Sequence, residues 1–333
     1  MTHLLRIEDL RVTYRSGRGD IPAVRGVSLS LEQGRSLGIA GESSSGKSTI
    51  ASAVLRLHPR GTRVEGRVEV CGQDVNSLSW GALRRMRWSD AAIVFQGAMH
   101  SLNPVRTVGE QIAEPLLVHR PATTRRAADL RVAELLDMVG LTAEHAFSHP
   151  HLLSGGQKQR VMIAMALACD PRLLIADEAT TALDVKVQAQ ILRLLRNLAT
   201  ELGLGLMMIS HDLAVLSSVC DDVVVMHRGR VVEQGPGPRV FEQARHPYTR
   251  ALAGAFPTIG DPSSRYRPQG LAEDPVTAVD GAAEREFVAR CRTPDDTCLV
   301  HRPEFARYAR GPETGCLRAE DLGITRPLSE VSR

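Results

Sequence analysis

The stretch Gly41-Glu42-Ser43-Ser44-Ser45-Gly46-Lys47-Ser48-Thr49 constrains this chain more than any other. It follows the apolar run Ser36-Leu37-Gly38-Ile39-Ala40 and opens into Ile50-Ala51-Ser52-Ala53-Val54-Leu55. Strand, glycine-bounded loop and helix therefore come in the order a phosphate-binding P-loop requires. In such a loop a phosphate chain is held by backbone N–H groups turned inward, by the positive end of the helix dipole and by the Lys47 ammonium. Ser48 offers its hydroxyl to Mg2+. A small-residue turn before a buried helix would explain the serines and glycines, but not a lysine where an amphipathic helix begins. The chain is expected to bind a nucleoside triphosphate through Gly41, Ser43, Ser44, Ser45, Gly46, Lys47, Ser48 and Thr49.

Composition bounds the rest. At 333 residues the chain has room for about two domains and a substantial core. Aromatics make up only 4% and the formal net charge is +3, so no basic surface marks a nucleic-acid partner. Glu8 falls where a signal peptide needs an apolar core, and no apolar run approaches the roughly 20 residues that span a bilayer. A soluble intracellular protein is expected, with its six cysteines reduced. Cys291, Cys298 and Cys316 fall in the last fifth of the chain, where metal is a better reading than disulfide.

Leu4 to Tyr14 and Val24 to Leu31 alternate apolar and polar residues as half-buried strands do. Tyr14 ends the first, where its ring would either stack on an adenine or pack locally. Gly66 to Asp74 reads as a hairpin, Leu83 to Arg87 as a short basic helix, and Ala91 to Phe95 as a buried strand ending on Gln96. From about Asn103 the pattern turns helical. Thr107-Val108-Gly109-Glu110 matches a capping box and starts a helix through Leu117, and Ala127 to Met138 keeps helical spacing up to Gly140. This insert ends at Leu153-Ser154-Gly155-Gly156-Gln157, just before the apolar helix Val161 to Ala168. By spacing, Ser154 and Gln157 form another capping box; a helix N-terminus with two glycines is also an anion site that can approach a phosphate held by a second molecule.

Leu173-Leu174-Ile175-Ala176 is apolar throughout, as a strand buried on both faces is, so Asp177 and Glu178 emerge at its carboxyl end, where ligands sit in open α/β sheets. Two adjacent acids often mark only a solvated strand end. After a buried strand in a P-loop protein they suit catalysis, with Asp177 holding the Mg2+ shell through water and Glu178 orienting or deprotonating the attacking water. Leu204 to Ile209 delivers Ser210 and His211 to the same edge, where a neutral imidazole can contact the γ-phosphate.

The ordered set of P-loop, Gln96, Leu153 to Gln157, Asp177-Glu178, Ala182-Leu183-Asp184 and His211 resembles the ATPase subunit of an ABC transporter, over residues 4 to about 255. Ser101-Leu102-Asn103-Pro104, Val108-Gly109-Glu110-Gln111-Ile112 and His246-Pro247-Tyr248-Thr249 are similar to the oligopeptide/dipeptide/nickel importer ATPases. Two positions depart from the family pattern: Ser44 stands where glycine is usual and Ala179 where proline is usual.

The resemblance implies an α/β fold. A RecA-like P-loop NTPase core would carry an antiparallel β subdomain and a helical signature subdomain over about 100–165, forming an ATPase domain over 1–255, with a C-terminal extension over 256–333. It implies ATP and Mg2+ as ligands, with Ser48, Gln96 and Asp177 around the metal and Glu178, His211 and Gln96 in catalysis. It further implies a head-to-tail ATPase dimer, in which Ser154, Gly155, Gly156 and Gln157 of one chain cover ATP on the P-loop of the other. The implied partners are a second ATPase subunit, identical or related, two transmembrane permease subunits and, indirectly, an extracytoplasmic solute-binding protein. The chain would sit peripherally on the cytoplasmic face of the cell membrane, and the solute would be a peptide, nickel or another small molecule. Soluble ABC ATPases acting on nucleic acid or ribosomes share these motifs. They usually show tandem cassettes, coiled-coil inserts or zinc modules, whereas this chain has a single cassette with a short insert.

In the same family the extension often carries four cysteines resembling an iron–sulfur ligand set. Here Arg285-Glu286-Phe287-Val288-Ala289-Arg290-Cys291 fits that pattern with Arg285 in place of the first cysteine, leaving Cys291, Cys298 and Cys316. Three thiolates leave one iron open, so a cluster there is expected to be labile; the alternative is a tail folded without metal.

Overall fold

A computed structural model of the chain describes residues 3–17, 19–95, 101–120, 122–180, 183–255 and 313–314. Gln96, Arg285, Cys291, Cys298 and Cys316 lie outside the described residues, as do the expectations placed on them. The contacts divide into two compact units.

The first unit comprises Met1–Ile21, Gly26–Ser36 and Ser48–Ile209. Its antiparallel sheet has the order β2-β1-β4-β5, formed by β1 (His3–Ser16), β2 (Gly19–Glu32), β4 (Arg63–Val70) and β5 (Gln73–Asp74). The β4–β5 pair is the hairpin read from the sequence. Between Glu8 and Arg11 the β1–β4 register shifts, and the buried set changes phase there from Leu5 and Ile7 to Leu10 and Val12. A bulge does this, because one extra residue turns every later side chain to the opposite face. β1 and β2 also run further than expected. Their outer ends, Arg15-Ser16 and Gly19 to Pro22, are exposed, so no burial pattern marks them in the sequence.

A parallel set of strands in the same unit places β7 (Leu173–Asp177) between β6 (Ala91–Val94) and β8 (Gly205–Ser210). All of β7 is buried, as its apolar run requires. The strand expected to end at Phe95 stops at Val94, and Phe95 is 44% exposed. Helices complete the unit: α1 (Lys47–Val54), α2 (Trp80–Ser89), α3 (Val108–His119), α4 (Arg125–Met138), α5 (Gly155–Leu167) and α6 (Val185–Leu202). α3, α4 and α5 pack on one another. The Thr107–Glu110 capping box is formed, with the Thr107 N–H donating to Glu110 Oε2 at 2.9 Å and the Glu110 N–H to Thr107 Oγ1 at 3.3 Å.

The second unit comprises Pro22–Arg25, Leu37–Lys47 and the described part of Ser210–Arg333. Here β3 (Ser36–Ala40) pairs in parallel with β9 (Asp222–His227), which pairs antiparallel with β10 (Arg230–Pro236). β11 (Glu313–Thr314), the described part of the extension, pairs antiparallel with β10. Three short helices belong to this unit: α7 (Leu213–Val219), before β9, and α8 (Gly237–Glu242) and α9 (Pro247–Gly254), after β10. The architecture is the α/β class the sequence implied, with an antiparallel sheet and a helical insert. Among the described residues no helix is long and apolar enough to cross a membrane.

Candidate functional site

In the second unit β3 runs into the loop Gly41 to Gly46, and α1 begins at Lys47. The loop is folded on itself. The Ser45 N–H donates to Glu42 O at 3.2 Å, and the Gly229 N–H, from the β9–β10 turn, donates to Ser45 O at 2.9 Å. Gly46 has φ +98°, and a Cβ there would lie 2.4 Å from Ala23 O, so only glycine fits. Lys47 Nζ donates to Gly41 O at 2.8 Å, Glu42 O at 2.7 Å and Ser45 Oγ at 3.4 Å, with 4% of the residue exposed. A buried ammonium at a helix N-terminus, surrounded by loop dipoles, has the electrostatics of an anion site. Ser43 and Ser44 are exposed on this loop. Ser44 has φ +66°, the left-handed region that costs a residue with a Cβ on the order of 1 kcal/mol, which is why glycine suits this position.

In the first unit Ser48 Oγ donates to Asp177 Oδ1 at 2.9 Å. Among the described residues no three His, Cys, Asp or Glu side chains gather as a metal cluster. One carboxylate and one hydroxyl is nonetheless the partial protein shell that suits Mg2+ when phosphates and water supply the remaining oxygens. The donor set therefore fits Mg2+. Next to Ser48, Thr49 Oγ1 accepts the Tyr14 hydroxyl at 3.2 Å, which ties the end of β1 to the first turn of α1. Glu178 directly follows β7. Its N–H donates to Ile209 O at 3.0 Å and its φ is +45°, so the chain turns sharply as it leaves the sheet and the carboxylate is half-buried. Strained backbone of this kind persists only where its surroundings over-determine it, as at reactive sites.

His211, in the second unit, is exposed in the turn after β8. Its flanks are fixed: Ser210 Oγ accepts the Asp212 N–H at 3.1 Å, and Asp212 Oδ1 caps α7 through the Val215 N–H at 3.0 Å. Gln96 is outside the described residues.

At the start of α5 the second capping box is formed. The Ser154 N–H donates to Gln157 Oε1 at 2.9 Å and the Gln157 N–H to Ser154 Oγ at 3.3 Å. The box leaves the amides of Gly155 and Gly156 at the helix N-terminus outside it, so local capping does not use up the donors of this helix end. Gln157 Nε2 also lies 3.2 Å from His145 Nε2.

Two further residues, His145 and Glu233, belong to none of the sequence motifs. For His145 no sequence signal exists, because its partner comes from another turn. For Glu233 the signal was an acid inside the Val231-Val232-Glu233 run of β10. It is fully buried, and its carboxylate accepts the Arg245 N–H at 2.8 Å and the His246 N–H at 3.0 Å. Burial pushes the Glu233 carboxyl up to about 7. Burial, with His227 nearby, pushes His246 down to about 3, so its ring is neutral and Nδ1 accepts the Tyr248 N–H at 3.1 Å. The His246-Pro247-Tyr248-Thr249 run is thus the anchored start of α9.

A family model described as ABC transporter matches residues 24–181, and one described as oligopeptide/dipeptide transporter, C-terminal region, matches residues 232–298. The chain is 41% identical over 335 aligned positions to the oligopeptide transport ATP-binding protein OppD of Mycobacterium tuberculosis, covering 100% of this chain and 54% of the relative. It thus spans about half the length of that relative. It is 43% identical over 304 positions to a putative peptide import ATP-binding protein of Brucella abortus, covering 90% of each chain. Among solved structures, the ATP-binding cassette MJ0796, a dimer in a post-hydrolysis state bound to ADP and Pi, superposes with a TM-score of 0.63 at 32% identity, covering 70% of this chain and 98% of that one. The cbiO1 chain of Clostridium perfringens, part of the ABC transporter complex cbiONQ, gives 0.64 at 28% identity, covering 73% and 92%.

Proposed function

Because the chain belongs to the ABC transporter family of ATP-binding cassettes, we propose that it is the ATP-hydrolysing subunit of an importer for peptides or a related small solute. The observation that carries the reading is the 2.9 Å hydrogen bond between Ser48 Oγ and Asp177 Oδ1, with Glu178 as the next residue. It joins the Ser48 hydroxyl, in the first turn of α1, to the acidic end of a buried strand. Lys47 meets the β- and γ-phosphates as a point charge, and Ser48 and Asp177, with Gln96, would hold Mg2+. When bound, Mg2+ would neutralise charge on the phosphates. Glu178 orients the attacking water and takes up its proton, and His211 contacts the γ-phosphate. Tyr14 lies beside Thr49, where its ring serves the adenine.

Ser154, Gly155, Gly156 and Gln157 of a second cassette, identical or related, close over the ATP. The pair works on two transmembrane subunits from the cytoplasmic face of the membrane, and an extracytoplasmic binding protein delivers the solute. The names of the Mycobacterium and Brucella relatives favour peptides over nickel. In the tail, Cys291, Cys298 and Cys316 fall one thiolate short of a four-cysteine ligand set, so a cluster held there would be labile. The test is affinity purification of the full chain after detergent extraction of its native membranes. Recovery of two membrane subunits in an ATPase-active complex is expected. Recovery with ribosomes or nucleic acid instead would overturn the transporter reading.

A further inference from the structure

Tyr248 is fully buried, and its hydroxyl oxygen accepts the backbone N–H of Glu42 at 2.9 Å. That N–H belongs to the Gly41–Glu42 peptide of the phosphate-binding loop. The carbonyl of the same peptide, Gly41 O, accepts Lys47 Nζ at 2.8 Å. One peptide plane is therefore held at both ends, by a tyrosine on one side and by the loop lysine on the other. Gly41 itself, at φ +152°, has no side chain to restrict rotation about that peptide.

The tyrosine is itself well located. Its ring lies 4.4 Å from the His227 ring, centroid to centroid, and its N–H is accepted by His246 Nδ1. The N–H groups of Arg245 and His246 rest on the Glu233 carboxylate. From β10 through the start of α9, each link places the next, and the last one is a hydroxyl aimed at the loop.

We propose that Tyr248 is a positioning residue for the phosphate-binding loop: it sets the Gly41–Glu42 peptide so that Lys47 is held where phosphates meet it. The proposal rests on the reading of that loop as an ATP site. Tyr248 and Glu233 both fall within residues 232–298, the stretch matched by the oligopeptide/dipeptide C-terminal region, so part of that region serves the nucleotide site.

The test is Tyr248→Phe in the full chain, which keeps the buried ring and removes only the hydroxyl. Two quantities are read: the Kd for MgATP by calorimetry, and hydrogen exchange at the Glu42 amide without nucleotide. Loss of one oriented hydrogen bond is expected to raise the Kd roughly 3- to 10-fold and to speed exchange at Glu42. Leu252→Val is the control, since Leu252 is buried on the same helix and carries no polar group. It is expected to lower stability while leaving both readouts in place. A Tyr248→Phe chain with unchanged or tighter MgATP binding would overturn the proposal. So would a Leu252→Val chain that loses affinity to the same degree, because general loosening of α9 would then suffice. A parental chain that binds no MgATP would instead remove the ATP-site reading underneath.

Discussion

A methyl group built on Gly156 would lie 2.8 Å from Cγ1 of Val187, in the first turn of α6. The glycine at the α5 N-terminus therefore has a packing duty inside its own chain, besides the role proposed for it over a second cassette's ATP. Gly156→Ala is expected to destabilise the nucleotide-free chain by about 1–3 kcal/mol through overpacking, and Val187→Ala in the same chain to restore most of that loss. Urea midpoints of the parent, both single variants and the double variant decide it. An alanine at 156 that costs nothing would show that Val187 simply moves aside.

Ser44 occupies left-handed backbone, φ +66°, without being glycine. Ser44→Gly relieves that strain but frees the unfolded chain, so its stability is expected to match or exceed the parent's by up to about 1 kcal/mol. Ser44→Val should cost more than about 1 kcal/mol, because a β-branched residue tolerates positive φ worst. Thermal melting of the two variants is the measurement, and equal melting points would mean that the loop relaxes around residue 44.

Glu178→Gln keeps the size of the side chain and removes its basicity. In the assembled complex it is expected to bind ATP and to lose about 10²–10⁴-fold in turnover. Parental turnover in the variant would move the general-base role to another residue.

Ser154→Arg removes the Ser154 Oγ cap, worth about 1 kcal/mol, and puts a bulky cation where the proposed head-to-tail dimer places a partner's phosphate. Monomer affinity for ATP should remain near the parental value while ATP-driven dimerisation is lost. Light scattering with and without ATP separates the two. Equal loss of both would leave Ser154 with the capping role alone.

The Glu233 carboxyl titrates near 7 in the folded chain against 4.5 as its ordinary value. A raised pKa means that the folded state favours the proton, so the contribution of this group is complete below about pH 4.5 and is lost as pH rises through 7. The change amounts to at most about 3 kcal/mol. The stability difference between the parent and Glu233→Gln should therefore shift against the parent across that window, as read from denaturant titrations at a series of pH values. A difference that stays constant from pH 4.5 to about pH 8 would mean that Glu233 keeps an ordinary carboxyl.

Much of this was readable from the chain because the relevant signals are local. The short apolar run Leu173 to Ala176 suits a strand buried on both faces, and the spacings Thr107–Glu110 and Ser154–Gln157 specify caps within one helical turn. The phase change in β1 left its trace in the adjacent polar pair Glu8-Asp9, but the bulge behind it depends on the partner strand, which the sequence of β1 does not name. The Tyr248–Glu42 contact was hidden for a stronger reason: its ends are 206 residues apart, and nothing in either neighbourhood names the other. Glu233 lay between the two cases, visible as an acid in an apolar strand but without a visible purpose until Arg245 and His246 were seen to rest on it.

The reach of Tyr248 bears on how such cassettes can be recombined. A hybrid joined between residues 181 and 232 would unite one parent's phosphate-binding loop with another parent's α9. Sequence alone would present that junction as a clean seam between two family segments. It would be silent only where the donor supplies a phenolic hydroxyl at 248 and an acid at 233; otherwise the graft would arrive as a nucleotide-affinity defect in a protein whose P-loop had not been touched.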